Sequence, residues 1–225
     1  MKICCIFCAG EFSEPAHAIP KNAVIIAADG GLKYLKDLSL TPDVILGDFD
    51  SLGYVPAGGQ VFPVEKDDTD SMLAIKKGLE LGCDTFCLYG ALEGQRIDHT
   101  MANFQALQYL SERGCRGYLV GSRQIATAIT RDKMEFSQEN RGYLSIFCLG
   151  ADARGVAIRG AQYELENATL TSGFPLGVSN QFQGKPVTVS VEQGTLLLIW
   201  QRNGHPLASQ RDHENKKEER YAENH

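Results

Sequence analysis

Aspartates recur where segments that the sequence predicts to be buried strands come to an end. Four such loops stand out: Ala28-Asp29-Gly30-Gly31, Gly47-Asp48-Phe49-Asp50-Ser51, Lys66-Asp67-Asp68-Thr69-Asp70 and Arg96-Ile97-Asp98-His99. Loops beyond the carboxyl ends of parallel strands share one edge of a sheet, so these acids are expected to converge. Converging carboxylates repel each other unless a cation neutralises them, and Mg²⁺ prefers oxygen ligands together with substrate phosphates. The pattern therefore predicts a divalent-cation and phosphate site.

Each motif taken alone also has a structural explanation. Asp48 and Asp50 could form turns, Asp68 or Thr69 could cap a helix, and Asp70 could favour the helix dipole. Four acidic loops in the same strand-end context favour the site over these separate explanations. The sequence has neither a G-x-x-x-x-G-K-[ST] phosphate loop nor a G-x-G-x-x-G fingerprint.

The elements that must position these loops alternate along the first half of the chain. Short apolar segments rich in β-forming residues predict strands at Lys2–Cys8, Ala23–Ala28, Val44–Leu46, Gln60–Val64, Thr85–Tyr89 and Tyr118–Val120. Amphipathic spacing predicts helices at Thr69–Leu81 and Thr100–Arg113, each followed by a glycine that ends it. Strand–helix alternation predicts a mostly parallel sheet covered by helices.

The second half has a different pattern, without helical periodicity. Strands are predicted at Tyr143–Cys148, Gln162–Leu165, Thr169–Thr171, Val187–Val191 and Thr195–Trp200. We therefore predict an α/β fold in which a parallel-sheet domain, residues 1–124, precedes a smaller all-β sandwich domain, residues 125–208. Residues 209–225 are polar and charged, which is typical of a flexible tail.

Composition limits the classes of partner. The 225 residues carry a formal net charge of −6, which argues against nucleic acid as the partner. No apolar run reaches the ~20 residues needed to cross a bilayer, so no membrane association is expected. Seven cysteines without an export signal are typical of reduced thiols in a cytoplasmic protein. Cys4, Cys5 and Cys8 are expected to be buried strand residues rather than metal ligands, and Trp200 is expected in the core.

The four acidic motifs, together with Pro42-Asp43 and the Asn103 that follows His99, resemble those of the thiamine pyrophosphokinase family. The segment Gly177-Val178-Ser179-Asn180-Gln181-Phe182 resembles that family's thiamine-side motif, so the resemblance extends to about Trp200. One segment departs from the family pattern. The loop Gly90–Arg96 is one residue longer than usual before the Asp-His pair, and Gln95 stands where glycine is usual.

The resemblance implies transfer of a pyrophosphoryl group from ATP to the hydroxyl of thiamine, giving thiamine diphosphate and AMP. It also implies a homodimer whose active sites lie between the α/β domain of one chain and the β domain of the other. Under this interpretation Asp48, Asp50 and Asp70 hold Mg²⁺, Arg96 stabilises phosphate charge, and Asp98 orients thiamine or its hydroxyl.

The remaining candidates divide between the two substrates. Ser179 and Asn180 are expected to bind the aminopyrimidine of thiamine. Candidates for the ATP side are Asp29, Gly30, Gly31, Asp67, Thr69, His99 and Asn103. His99 is expected to cap or pack at a helix start rather than to act as a general base.

Two other functions fit the same residues. One is a related metal-dependent phosphotransferase with a different alcohol acceptor, against which the Gly177–Phe182 motif argues. The other is a catalytically silent protein that binds thiamine or a nucleotide. A binding protein has no need of a metal-ready carboxylate set, so the aspartates favour an enzyme.

Overall fold

The computed structural model describes residues 1–12, 19–49, 53–61 and 68–202. The parallel half of its main sheet consists of β1 (Ile3–Phe7), β2 (Val24–Ala28), β3 (Val44–Gly47), β4 (Gln60–Val61), β5 (Thr85–Tyr89) and β6 (Arg116–Val120). Its helices are α1 (Leu32–Asp37), α2 (Asp70–Glu80) and α3 (Ile97–Ser111). These strands and the two longer helices confirm the predicted α/β alternation, whereas the short α1 was not predicted.

Apart from a single 3-10 turn at Asp29–Gly31, all the remaining described elements are strands. They are β7 (Gln124–Thr130), β8 (Lys133–Phe136), β9 (Tyr143–Cys148), β10 (Ala153–Arg159), β11 (Leu165–Leu170), β12 (Gly177–Gln181), β13 (Val187–Ser190) and β14 (Thr195–Gln201). The fold class is the predicted one, an α/β part followed by a β sandwich.

Two sheets organise the chain. The first has ten strands in the order β12-β9-β14-β7-β6-β5-β1-β2-β3-β4, and the second has four in the order β11-β10-β13-β8. Pairing is parallel from β6 through β4 and antiparallel from β7 onward. Because β6 pairs with β7, the ten-stranded sheet continues across the predicted domain boundary at residue 124.

One strand prediction is wrong. Gln162–Glu164 connects two strands, and the strands themselves are β10 and β11 on either side. Gly160 ends β10 with a φ of +82°, and its N–H donates to the Glu164 carboxylate over 2.7 Å. This side-chain contact closes a turn where the sequence had predicted a strand. The predicted end of the fourth strand, residues 62–64, and the predicted tail lie outside the described residues.

Two apolar clusters, one on each face of the main sheet, fix the parallel strands. Cys4 and Cys8 belong to one cluster and Cys5 to the other, as strand alternation requires. All three are buried, as the sequence predicts, although Cys8 lies just after β1 rather than within it. In the β sandwich, Phe136 packs edge-to-face on Trp200 with ring centroids 5.3 Å apart. Trp200 is 2% exposed and is therefore a core residue.

Among the described residues, no helix is both long and apolar enough to cross a membrane.

Candidate active site

A cleft of about 420 Å³ opens at the carboxyl ends of β1, β2 and β5. Its position is the one expected for ligands of an open parallel sheet. Its lining comprises Cys8, Ala9, Gly10, Glu11, Ala28, Asp29, Tyr34, Thr69, Asp70, Ser71, Gly90, Ala91, Glu93, Gly94, Gln95, Arg96, His99, Thr100 and Asn103. Residues predicted separately from three of the acidic loops thus meet around one cavity.

Asp29 is held by a close approach between two strand ends. It begins a single 3-10 turn, Asp29–Gly31, with a φ of +48° and 6% exposure. A Cβ at Gly31 would lie 1.9 Å from the carbonyl oxygen of Phe7, so only glycine allows the turn to pack on β1. Gly30 and Gly31 are buried behind Asp29, and neither lines the cleft.

Asp48 reaches the same region from the end of β3. At Gly47, a Cβ would lie 3.0 Å from the Cα of Asp29, and the φ of +150° disfavours other residues. Phe49 is 3% exposed and anchors the chain immediately after Asp48. The absence of a side chain at Gly47 therefore brings the two acidic loops into direct contact.

Asp70 is the first residue of α2. Thr69 caps this helix, since its hydroxyl oxygen accepts a hydrogen bond from the N–H of Met72 over 3.2 Å. Asp70 thus occupies the first helical turn, where the helix dipole stabilises a carboxylate. Burial, followed by the nearby Asp70 carboxylate, raises the pKa of the Cys8 thiol at the cleft wall to about 12.

Three carboxylates meet at this end of the cleft. Asp29, Asp48 and Asp70 each offer an oxygen, and these oxygens lie within 4.8 Å of one another. The set contains only hard oxygen donors and comes from three separate elements, which fits Mg²⁺. The sequence had placed Asp29 on the ATP side rather than among the metal ligands. The signal that could have grouped it with them is its position directly after β2, which pairs with β3, the strand that Asp48 follows.

Asp50 and Asp67, the other acidic candidates, lie outside the described residues.

Arg96 and Asp98 form an exposed ion pair at the start of α3. The guanidinium donates from Nε and Nη2 to the Asp98 carboxylate, and the Nη2 contact is 2.6 Å long. The hydrogen bond from Arg96 lowers the pKa of Asp98 to about 2, and the same ion pair raises the pKa of Arg96. Both side chains are more than 60% exposed. Arg96 lines the cleft, as does His99 in the first turn of α3.

Asn103 is buried at the back of the cleft and joins two of its walls. Its amide nitrogen donates to the carbonyl of Ala91 over 2.7 Å. Its amide oxygen accepts from the hydroxyl of Ser71 over 2.8 Å. The link therefore runs from the loop after β5 to the first turn of α2, which carries Asp70. The role of Ser71 was missed because its partner is 32 positions away in the sequence.

Ser179 and Asn180 lie on β12, at the opposite end of the ten-stranded sheet from β4. Neither lines the acidic cleft. Ser179 is exposed with a φ of +60°, and its N–H donates to the Ser145 hydroxyl. Asn180 is 3% exposed, and its amide donates to the carbonyl of Tyr163 and accepts from the N–H of Tyr163. Within one chain, these two candidates are therefore not brought together with the aspartates.

Comparison with known proteins divides the chain in a similar way. Residues 16–119 match the family described as "Thiamin pyrophosphokinase, catalytic domain". Residues 132–196 match "Thiamin pyrophosphokinase, vitamin B1 binding domain". Together the two matches span well over half of the chain, and the cleft is lined mainly by residues from the first.

Full-length relatives agree with these matches. The chain is 28% identical over 189 residues to a thiamine pyrophosphokinase of Bacillus subtilis, covering 80% of this chain and 87% of that protein. A crystal structure of thiamine pyrophosphokinase from Bacillus subtilis superimposes with a TM-score of 0.77 at 26% identity, over 90% of this chain and 100% of that one. The thiamin pyrophosphokinase of Candida albicans shares the fold, with a TM-score of 0.73 at 15% identity over 89% of this chain and 90% of that one. The chain belongs to the thiamine pyrophosphokinase family, whose members are enzymes that form thiamine diphosphate from thiamine at the expense of ATP.

Proposed function

We propose that the triphosphate of ATP binds in the cleft beside a Mg²⁺ ion held by Asp29, Asp48 and Asp70. The observation that carries this proposal is the meeting of these carboxylates within 4.8 Å. Asp50, two residues beyond Asp48, remains in the proposal as a further ligand, and Asp67 as a neighbouring contact. The ion would neutralise charge on the triphosphate and so favour attack by an alcohol.

Protein groups around the cleft supply the remaining phosphate contacts. Arg96 is exposed at its rim and carries a forked guanidinium suited to phosphate oxygens. The start of α2 behind Thr69 provides backbone N–H groups and a favourable dipole. His99 lines the cleft on the ATP side, whereas Gly30 and Gly31 act there only through the buried turn that places Asp29. Asn103 fixes the separation of the two walls.

The reaction requires attack of the thiamine hydroxyl oxygen on the β-phosphorus of ATP. A new P–O bond forms, the bond from the β-phosphorus to the α–β bridging oxygen breaks, and AMP leaves. The hydroxyl proton is released to solvent water in the same exchange. Asp98 is proposed to orient the hydroxyethyl arm, and it is ionised at neutral pH because its pKa is about 2.

Thiamine requires a second surface. We assign it to the β domain, residues 125–208, and the ATP and metal site to residues 1–124. Ser179 is exposed on β12, where it is available to a ligand, and Asn180 fixes the backbone beside it through Tyr163. Because neither residue lines the cleft of its own chain, we propose a homodimer in which the β domain of one chain completes the cleft of the other.

The free state of all seven cysteines supports a reducing compartment, which we propose is the cytoplasm.

A turnover assay tests the assignment. Wild-type protein with ATP, thiamine and Mg²⁺ is expected to give AMP and thiamine diphosphate in equal amounts, whereas Asp48→Asn loses most of this activity. Asp37→Asn, at an exposed position ending α1, serves as the matched control and is expected to retain activity. Normal turnover by Asp48→Asn would contradict the metal assignment.

The same assay separates the two alternatives. Calorimetric binding of thiamine without AMP formation by the wild-type protein would indicate a silent binding protein. Faster AMP release with another alcohol than with thiamine would indicate a different acceptor.

A further inference from the structure

Glu93 connects the cleft wall to a part of the chain that the proposed reaction does not otherwise use. It belongs to the loop Gly90–Arg96, which forms one side of the cleft. Both oxygens of its carboxylate accept hydrogen bonds from Ser122, one from the N–H over 3.0 Å and one from the hydroxyl over 2.9 Å. Both carboxylate oxygens are therefore occupied by Ser122, so the contact holds the loop in place rather than binding substrate.

The turn that receives Glu93 is itself firmly held. Ser122 lies between β6 and β7, and the N–H of Gly121 donates to the carbonyl of Gln124 across this turn. Arg202, which follows β14, donates from its guanidinium to the carbonyl of Gly121 over 2.7 Å. The backbone N–H of Arg202 also donates to the carbonyl of Arg123 over 2.9 Å. Glu93 therefore ties the cleft loop to a turn braced by the β-rich half.

The fit at this contact is tight. A Cβ at Gly121 would lie 2.8 Å from Oε1 of Glu93 and 3.1 Å from Cδ2 of Leu92. The φ of Gly121 is not in the left-handed region, so its glycine is explained by the close approach of Glu93. Burial acts to raise the pKa of Glu93, but hydrogen bonds from Ser122 and the N–H of Arg123 outweigh it and leave the pKa lowered.

Only two residues separate this anchor from Arg96. Of the two intervening residues, Gly94 has a φ of +143° and Gln95 is exposed. On the other side of Glu93, its carbonyl accepts from the N–H of Glu11 over 3.2 Å, which adds the loop after β1. Arg96 is thus held between the Glu93 anchor and the first turn of α3.

We infer that Glu93 is a positioning residue for the phosphate side of the reaction. By fixing the loop Gly90–Arg96 on the β6–β7 turn, it keeps Arg96 at the rim of the cleft before ATP binds. This inference rests on the proposed placement of the triphosphate in that cleft. Since displacements of about 1 Å can cost on the order of 100-fold in rate, a loose loop would weaken catalysis without removing any contacting group.

Steady-state kinetics on three variants test the inference. Glu93→Ala is expected to lower kcat/KM for ATP by about 10- to 100-fold, while KM for thiamine stays within about twofold. Glu93→Gln is expected to recover most of the loss, because its amide oxygen can accept from the N–H of Ser122 and its amide nitrogen can donate to the hydroxyl. Glu80→Ala removes an exposed carboxylate at the end of α2 and should behave as wild type.

Two further measurements separate positioning from simple instability. In Glu93→Ala, amide hydrogen exchange should rise in residues 90–96 while the thermal midpoint changes little. Gly121→Ala should produce the same defect by displacing Glu93, and the double variant should be no worse than Glu93→Ala alone. Unchanged kcat/KM for ATP in Glu93→Ala would overturn the inference. A Glu93→Gln variant as inactive as Glu93→Ala would also overturn it, because the charge itself would then be required.

Failure of the proposed function would give a different set of results from failure of this inference. If Asp48→Asn turned over normally, the triphosphate would be misplaced, yet increased exchange at residues 90–96 in Glu93→Ala would still report the anchor.

Discussion

The hydroxyl of Ser71 donates a hydrogen bond of 2.8 Å to the amide oxygen of Asn103, joining the first turn of α2 to the middle of α3. The other end of the same amide holds the carbonyl of Ala91 in the loop after β5. One buried side chain therefore sets the spacing between Asp70 and the Ala91 side of the cleft. Because the proposed cation and the phosphate of ATP would have to fit between these walls, the spacing bears directly on the proposed chemistry.

Replacing Asn103 should therefore impair ATP use more than it impairs folding. Asn103→Ala leaves the carbonyl of Ala91 and the hydroxyl of Ser71 without this partner, at a cost of roughly 1–3 kcal/mol in unfolding free energy. We expect kcat/KM for ATP to fall by about tenfold or more, because small displacements of the groups that position a substrate cost on the order of 10- to 100-fold in rate. Urea unfolding and steady-state kinetics measure the two effects.

The matched control is Ser71→Ala, which removes only one of the two bonds. Its stability and its kcat/KM for ATP should lie between those of the wild type and Asn103→Ala. An Asn103→Ala enzyme with unchanged kcat/KM for ATP would show that the link has no bearing on catalysis.

Loss of any one carboxylate in the triad should change the magnesium dependence of the reaction. Asp29→Asn and Asp70→Asn each replace a charged oxygen ligand with a neutral one, so the Mg²⁺ concentration for half-maximal activity should rise by about 10-fold or more. Titration with Mg²⁺ at saturating ATP and thiamine measures the shift. Asp37→Asn should titrate as wild type, and a wild-type titration curve for Asp29→Asn would exclude Asp29 from the ligand set.

Convergence of these acids was predictable, since it follows from a repeated local pattern. Asp29 and Asp48 each come directly after a short apolar strand, and parallel pairing of β2 with β3 then brings both to one edge. The membership of Asp29 in the triad was not predictable. It depends on the close approach of Gly47 to the backbone of Asp29, and no local sequence pattern encodes that contact.

Long-range and irregular features were not predictable. β12 lacks an alternating pattern and was missed, and the commitment of the Asn180 amide to Tyr163 depends on a contact 17 positions away. Likewise, β7 continues the ten-stranded sheet through tertiary pairing with β6. β7 was itself not predicted, because residues 125–129 are all buried and the segment has no alternation of apolar and polar positions.

The pKa of Asp98 should depend on Arg96. The ion pair lowers the pKa of Asp98 from 3.8 to about 2, so Arg96→Gln should raise it toward the ordinary value. Carbon-13 NMR of the Asp98 carboxyl group during an acid titration measures this shift. Since the folded-state pKa is the lower one, the stabilising effect of the pair is present above pH 3.8 and is lost as the pH falls through 2.

Between pH 5 and 9 this carboxylate stays ionised, and its titration should not contribute to the pH–rate profile. Arg96→Lys, which keeps the charge but not the fork, should restore part of the shift. An Asp98 that titrates near 3.8 in the wild-type protein would show that the ion pair is not maintained in solution.

The last prediction is that catalysis requires two chains. The aspartates lie on the parallel half of the ten-stranded sheet, whereas Ser179 lies on β12 at its far antiparallel end. Within one chain, the proposed ATP and metal site is therefore far along the sheet from the proposed thiamine-binding residue. Asp48→Asn should disable the cleft, and Ser179→Tyr, at an exposed position with a φ of +60°, should block the thiamine surface. Each variant is expected to be inactive as a homodimer.

Mixing the two variants distinguishes a shared site from a self-contained one. In a mixed dimer, one site combines an intact cleft with an intact β12, while the other site collects both defects. Activity of about half that of the wild type per mixed dimer is expected by this counting of independent sites. Coexpression with two affinity tags and sequential purification isolates the mixed species, and a wild-type/Asp48→Asn dimer, which also retains one intact site, provides the reference. If each site used residues of a single chain, every site in the mixed dimer would carry one defect, and the purified species would be inactive.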